Sequence, residues 1–201
     1  MSRCAPNPED FTLTSHVTKK LQMALCAVSA VLLSTNPALA LAQAPEVSIE
    51  SGSVVGVESD QGVKMFLGIP FAQPPIGELR WKSPQPVEPW SEPLVADSYG
   101  PVCPQARNGE PVEGASEDCL TLNVWTPSVE PEGEPLPVMV WLHPGSFSVN
   151  SGSTWDADDL AAIGDVVIVS PNYRLNVFGF LGMEALLNED PDYPSTGNYG
   201  I

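Results

Sequence analysis

Two continuous apolar runs constrain the fold of this chain more than any other feature of its sequence. They are residues 138–142 and residues 166–169, and the segment 156–163 between them has the pattern of a short helix with acidic residues in its first turn. Uninterrupted apolar runs are typical of strands that are buried on both faces of a parallel sheet. The order strand, helix, strand therefore predicts an α/β fold.

The residues before these runs carry the signals of β-strands. Residues 47–50 and 53–57 are predicted to pair through a turn at Ser51-Gly52, and a second turn precedes a β-like segment at 63–69. The residues of 119–125 alternate as those of a strand do. We therefore expect an N-terminal β-hairpin region in front of the first strands of the α/β sheet.

Residues 1–44 are predicted to be a signal peptide and leader. A pair of lysines precedes the apolar run 21–33, and small residues suited to a cleavage site follow from Ala38 to Ala44. The apolar run is short for a membrane span, and an uncleaved anchor is the alternative. We expect a secreted or periplasmic protein whose folded part is 45–201, with no membrane association after cleavage.

The charge of the chain argues against one class of partner. The chain has 25 acidic and 8 basic residues, which give a formal net charge of −17. Such a charge disfavours binding to nucleic acids and to anionic membrane surfaces, because their phosphates repel it. We therefore predict no nucleic-acid partner.

The cysteines fall into two groups. Cys4 and Cys26 lie in the leader, whereas Cys103 and Cys119 would remain as an even pair in an exported chain. In an oxidising compartment such a pair indicates a disulfide, and two free thiols are the alternative. A metal site is disfavoured because there is no second cysteine pair and His143 is the only histidine beyond the leader. We predict no metal and no cofactor.

A loop of small residues follows the first apolar run, with the sequence His-Pro-Gly-Ser-Phe at 143–147. Backbone N–H groups of such a loop can point into a cleft and stabilise the oxyanion that forms from an ester carbonyl. One fixed donor contributes about 3 kcal/mol to that stabilisation. The candidate donors are the N–H groups of Gly145 and Ser146. Taken alone, the pattern favours a plain strand-to-loop turn.

Several blocks of sequence resemble those of one enzyme family, in the same order and at similar spacing. The blocks are FLGIPFA at 66–72 with the GELRW motif after it, EDCLTLNVW at 117–125, the loop at 143–147, NYRL and FGFL within 172–181, and GNYG at 197–200. In these blocks the chain resembles the N-terminal portion of the type B carboxylesterases, the cholinesterase-like family of α/β-hydrolases. The resemblance implies the N-terminal part of an α/β-hydrolase sheet and a carboxylic-ester hydrolase.

The resemblance also implies roles for the residues of the loop. In the family the loop usually reads His-Gly-Gly-Gly, and its second and third small residues, which match Gly145 and Ser146, supply N–H groups to the oxyanion. Pro144 stands where the first glycine is usual. Because proline lacks an N–H and restricts φ, the path of the loop is expected to differ while both donors remain. His143 matches the histidine of the loop and not the catalytic histidine.

Further residues match structural features of the family. Cys103 and Cys119 match a family disulfide, and Arg80 and Glu117 match a pair that forms a buried salt bridge. Asn176 stands where many members have glycine, and no function is drawn from that difference.

None of the catalytic triad is assigned to this sequence. In the mechanism that the resemblance implies, a serine attacks the ester carbonyl, a histidine transfers the proton and an acid orients the histidine. The serine lies in a G-x-S-x-G turn, and that pattern is absent from the 201 residues. We expect the chain to end before the catalytic serine and to be inactive alone, with a small-molecule ester as the substrate of the full-length protein.

Two other interpretations remain open. The chain could belong to a non-catalytic cholinesterase-like binding or adhesion protein, or it could be a structural fragment that is stable alone. A reading frame that continues downstream and encodes G-x-S-x-G would support the esterase. A full-length reading frame that lacks the serine would support the binding protein.

Overall fold

The computed structural model describes residues 44–130, 134–188, 194 and 196–200. The predicted signal peptide and leader lies outside the described residues except at Ala44, so it stays a prediction. None of the described helices is long and apolar enough to cross a membrane.

Ten strands and a few short helices make up the described part of the chain. The strands are β1 (Glu46–Ile49), β2 (Gly52–Val55), β3 (Val57–Glu58), β4 (Lys64–Pro70), β5 (Leu94–Val95), β6 (Ala106–Arg107), β7 (Glu110–Pro111), β8 (Thr121–Thr126), β9 (Val138–Val140) and β10 (Val167–Pro171). The α-helices are α1 (Asp158–Gly164) and α2 (Asn176–Phe180), and single turns of 3-10 helix lie at Gly77–Leu79 and Glu184–Leu186.

The predicted N-terminal hairpin is present. Strands β1 and β2 pair antiparallel through a tight turn that brings Ile49 opposite Gly52, and β5 adds to β2 in parallel. Gly52 has a φ of 141°, and an added Cβ would overlap the indole of Trp90, so only glycine fits there. The Trp90 indole N–H donates to the Ser53 carbonyl at 2.8 Å, which fastens the proline-rich surface segment, residues 71–93, to this sheet.

The larger sheet has five strands in the order β3-β4-β8-β10-β9. Strands β4 and β10 both pair antiparallel with β8, whereas β9 and β10 are parallel and are connected through helix α1. The α/β prediction is confirmed, but the sheet is mixed. Helix α1 packs on the sheet through a cluster of buried apolar residues, namely Val63, Leu67, Trp125, Ala157, Ala161, Val166 and Ile168.

A buried asparagine joins the three central strands. The register of β4 against β8 shifts between Phe66 and Ile69, and Gly68 lies in this irregularity with a φ of 76°. The Asn123 amide of β8 accepts a hydrogen bond from the Gly68 N–H at 2.9 Å and donates to the Ser170 carbonyl of β10 at 3.3 Å. The side chain thus pairs the backbone N–H that the irregular register would leave without a ladder partner.

Both apolar runs have the pattern of strands that are buried on both faces, but the described structure buries neither strand completely. Strand β9 lies at the edge of the sheet, and Val138, Met139 and Val140 are 47–62% exposed. Its one neighbour among the described strands is β10, and the burial of β10 alternates along the strand, with Ile168 and Ser170 inside. An apolar run fits a doubly buried strand, but neighbours decide whether burial occurs, and no described element covers β9.

An exposed apolar edge strand predicts self-association of the 201-residue chain. Replacing Val140, which is 59% exposed on β9, by lysine should reduce light scattering and the binding of a dye for apolar surface. The free energy of unfolding should change by no more than about 0.5 kcal/mol, as for other surface substitutions. Val95→Lys is the control, because Val95 is 66% exposed on β5 of the other sheet. Equal reductions in both variants would contradict a specific role of β9.

Candidate functional site

The loop of small residues begins directly beyond β9, and its first residue is held by the segment that follows β10. The Trp141 N–H donates to the Val169 carbonyl at 2.8 Å and extends the pairing of the two strands. The side chain of His143 is buried and stacks on Tyr173 with ring centroids 4.2 Å apart. The Tyr173 hydroxyl donates to the His143 carbonyl at 2.7 Å. Parallel pairing therefore brings the ends of both strands to one place.

His143 supports the loop as a neutral side chain. Its Nδ1 lies 3.0 Å from the Pro144 carbonyl oxygen, and because a carbonyl only accepts, Nδ1 carries the proton. Burial lowers the pKa of His143, and the hydrogen bond to Pro144 opposes that shift to a smaller extent. The imidazole is thus uncharged at neutral pH.

The loop adopts an uncommon backbone path. Gly145, Ser146 and Phe147 have φ values of 132°, 52° and 59° in succession. A Cβ at Gly145 would overlap the Val149 carbonyl, so this position requires glycine. Ser146 and Phe147 lack that freedom, and a left-handed non-glycine residue costs about 1–3 kcal/mol. Such conformations are concentrated at functional sites.

The two predicted oxyanion donors have no intramolecular acceptor among the described residues. The turn is closed by the N–H groups of Ser148 and Val149, which donate to the Gly145 carbonyl at 3.0 and 3.2 Å. The N–H groups of Gly145 and Ser146 take part in no such bond within the described part of the chain. They are therefore available to an external acceptor.

An open cleft of about 510 Å³ lies beside the loop. The rings of Phe147 and Phe180 pack 4.9 Å apart at this cleft, and Ser146 lines it together with Asn176. Apolar walls beside free N–H donors suit an ester, which has a polar carbonyl and apolar substituents. Among the described residues no cluster of His, Cys, Asp or Glu side chains could hold a metal ion.

The structure contains the Cys103–Cys119 disulfide, with the sulfurs 2.01 Å apart and the Cα atoms 5.1 Å apart. Both cysteines are buried in a cluster with Leu120, which adjoins β8, and Leu175, which precedes α2. The disulfide therefore fixes residues 103–105 against the part of the sheet that also carries the loop.

Arg80 and Glu117 form a bidentate ion pair. Arg80 Nη2 donates to Glu117 Oε1 at 2.7 Å, and Arg80 Nε donates to Oε2. The side chains are 39% and 22% exposed, whereas the resemblance implied a buried pair. Arg80 follows the 3-10 turn in the surface segment, where water reaches it, so the pair is screened more than a buried one.

Arg174 is a buried charged residue, and only 2% of its surface is exposed. It donates to the carbonyls of Arg80, Lys82 and Tyr199 at 2.9–3.2 Å. Burial lowers its pKa to about 10, and the guanidinium remains charged at neutral pH. These bonds join the chain after β10 to residues 80–82 of the surface segment and to Tyr199 in the turn at 197–200.

A family model described as the carboxylesterase family matches residues 43–201. The chain belongs to the carboxylesterase family. The fumonisin B1 esterase of Sphingopyxis macrogoltabida is 45% identical over 157 residues, which cover 76% of this chain and 28% of that protein. The acetylcholinesterase of Bungarus fasciatus is 39% identical over 197 residues, which cover 90% of this chain and 30% of that protein.

A solved carboxylesterase structure confirms the predicted α/β-hydrolase portion. A PNB esterase matches 77% of this chain and 31% of its own length, with 41% identity and a TM-score of 0.66. The chain thus spans about a third of the length of the carboxylesterases that it matches.

Sequence reasoning missed the polar residues that surround the carboxylesterase loop. Gln105 and Asn150 exchange two hydrogen bonds, and Asn176 bonds the carbonyl of Ser148. The glycine that many members have at 176 was the available signal, because it points to a left-handed residue, and Asn176 has a φ of 53°. Gln105 offered no signal, since its partner is distant in sequence.

The buried, neutral state of His143 predicts a pH dependence of stability. An unfolded histidine titrates near pH 6.5, and the folded imidazole binds its proton less readily, so the unfolded state binds more protons. The contribution of His143 to stability is complete above about pH 6.5 and decreases as the pH falls below it. NMR titration of a chain without the leader should give a pKa below 6.5 for His143. His143→Gln should flatten the loss of stability between about pH 7 and 5.5, and an unchanged slope would contradict the assignment.

Proposed function

We propose that this chain carries the oxyanion loop of an exported carboxylic-ester hydrolase. The observation that supports it best is the pair of N–H groups, those of Gly145 and Ser146, that lack an acceptor within the described residues of a carboxylesterase-family chain. The apolar cleft beside them supports a small-molecule ester as the substrate. The sequence of residues 1–44 and the disulfide support a secreted or periplasmic location.

The proposed chemistry is acyl transfer. As a nucleophile adds to the ester carbonyl, the oxygen gains negative charge, and two fixed N–H groups stabilise it more than they stabilise the neutral ester. One such donor lowers the barrier by about 3 kcal/mol, and it needs no reorganisation during the reaction. Pro144 does not interfere, because the N–H that it lacks is not one of the proposed donors.

The nucleophile, base and acid of the Ser-His-acid mechanism are not assigned to any of these residues. His143 is unsuited to the role of base, since its Nδ1–H is bonded to the Pro144 carbonyl and its ring is stacked on Tyr173. We therefore propose that the 201 residues supply transition-state stabilisation and part of the substrate cleft, without the nucleophile.

A chimera tests this proposal. Residues 44–201 would replace the matching segment of a PNB esterase, and the chimera should hydrolyse p-nitrophenyl esters. Gly145→Ala should lower kcat at least about 100-fold with little change in KM, because the added Cβ displaces the loop against the Val149 carbonyl.

Two controls accompany the chimera. Gly182→Ala lies on the same cleft with open space around the added Cβ, and it should keep the kcat of the chimera. The 201-residue chain alone should hydrolyse no ester above background, because it has no G-x-S-x-G motif. A folded but inactive chimera, or equal losses in the two glycine variants, would refute the proposed role of the loop.

A further inference from the structure

We propose that Gln105 and Asn176 are positioning residues. They hold the oxyanion loop, taken here with the residues that follow it as 143–150, in its left-handed path against the disulfide segment, residues 103–105. The inference rests on the proposed function, since that function makes residues 145–146 the oxyanion donors. It adds two side chains whose role is to fix the backbone that presents those donors.

The loop needs such support because of its own backbone. Ser146 and Phe147 are left-handed without being glycine, and Asn150 has a φ of 81°. The hydrogen bonds from Ser148 and Val149 to the Gly145 carbonyl close the turn but do not attach it to the rest of the molecule. Conformations of this kind persist only where the surroundings determine them.

Asn176 attaches the near side of the loop. Its backbone N–H donates to the Phe147 carbonyl at 2.8 Å, and its side-chain amide donates to the Ser148 carbonyl at 2.8 Å and to the Pro104 carbonyl at 3.3 Å. Glycine would accept the same φ of 53° and keep the backbone bond. The side chain is therefore not required by the conformation, and what it adds is the connection to Ser148 and Pro104.

Gln105 attaches the far side of the loop. Its Oε1 accepts the Asn150 N–H at 2.8 Å, and its Nε2 donates to the Asn150 carbonyl at 2.9 Å and to the Cys103 carbonyl at 3.1 Å. The side-chain amide thus pairs with Asn150 as a neighbouring strand would. The Asn150 side chain in turn donates to the Pro144 carbonyl at 3.0 Å, directly before Gly145.

Both attachments end on the same support. Asn176 bonds Pro104, and Gln105 bonds the carbonyl of Cys103, whose sulfur is joined to Cys119 beside β8. The loop is consequently braced between the disulfide segment and the chain that follows β10. A brace of this kind presents the donors in place before substrate binds, which is the condition under which such donors act best.

Amide hydrogen exchange of the 201-residue chain, measured by NMR, tests the inference. Asn176→Gly and Gln105→Ala should each speed exchange at Ser148, Val149 and Asn150 by about tenfold, the effect of losing one or two ordinary hydrogen bonds. The Gly145 and Ser146 amide resonances should shift or broaden as the loop samples other conformations. Exchange within β8 should not change.

Matched controls separate positioning from general stability. Asn108→Gly replaces another left-handed asparagine, with a φ of 54° in the exposed β6–β7 turn, and Gln73→Ala replaces a glutamine whose side chain bonds only at the surface. Both should leave exchange in the loop unchanged. Should Asn176→Gly fail to fold, Asn176→Asp takes its place, because it keeps the size of the side chain and removes the donor.

Loop exchange equal to that of the controls would overturn the inference, and so would faster exchange that spreads equally through β8. The measurement uses no substrate. A rigid, braced loop in a folded but inactive chimera would refute the proposed function alone, whereas a loop insensitive to both substitutions in an active chimera would refute the brace alone.

Discussion

The parallel pairing of β9 with β10 is the constraint on which the site depends. Parallel neighbours end at the same edge of a sheet, so the segments that follow the two strands meet there. The first segment begins with His143, and the second carries Tyr173 and Asn176. The stacked rings, the cleft and the hydrogen bonds of Asn176 to the loop lie between these two segments, and a different strand order would separate them.

The backbone of the loop is strained, and hydrogen bonds from other segments of the chain hold it in place. Left-handed Ser146 and Phe147 raise the free energy of the folded chain, and the gain is a backbone whose N–H groups remain unpaired within the described residues. Because Gly145 and Ser146 are not buried, water can bond these N–H groups in the free chain, and in acyl transfer the oxyanion would replace that water. The disulfide contributes indirectly, because it fixes residues 103–105, to which the loop is connected through hydrogen bonds of Gln105 and Asn176.

The sequence was most informative where local pattern and fold coincide. Two apolar runs with a helix between them predicted the β9-α1-β10 unit, and Ser51-Gly52 predicted the N-terminal hairpin. The sequence was least informative about which strands and side chains lie next to each other in the fold. The apolarity of 138–140 did not reveal an edge position, because the run has the same composition with one neighbouring strand as with two. The contact of Gln105 with Asn150 joins residues far apart in sequence, and no short-range pattern marks it.

A crystal structure of the PNB esterase chimera with a phosphonate bound to its nucleophile would test the role of Gly145 and Ser146 most directly. The phosphonyl oxygen takes the place of the oxyanion, and we expect it within about 2.7–3.1 Å of both backbone nitrogens, with the loop in the conformation described for the free chain. A phosphonyl oxygen held by other groups, or a loop refolded to reach it, would contradict a preorganised oxyanion site in this chain.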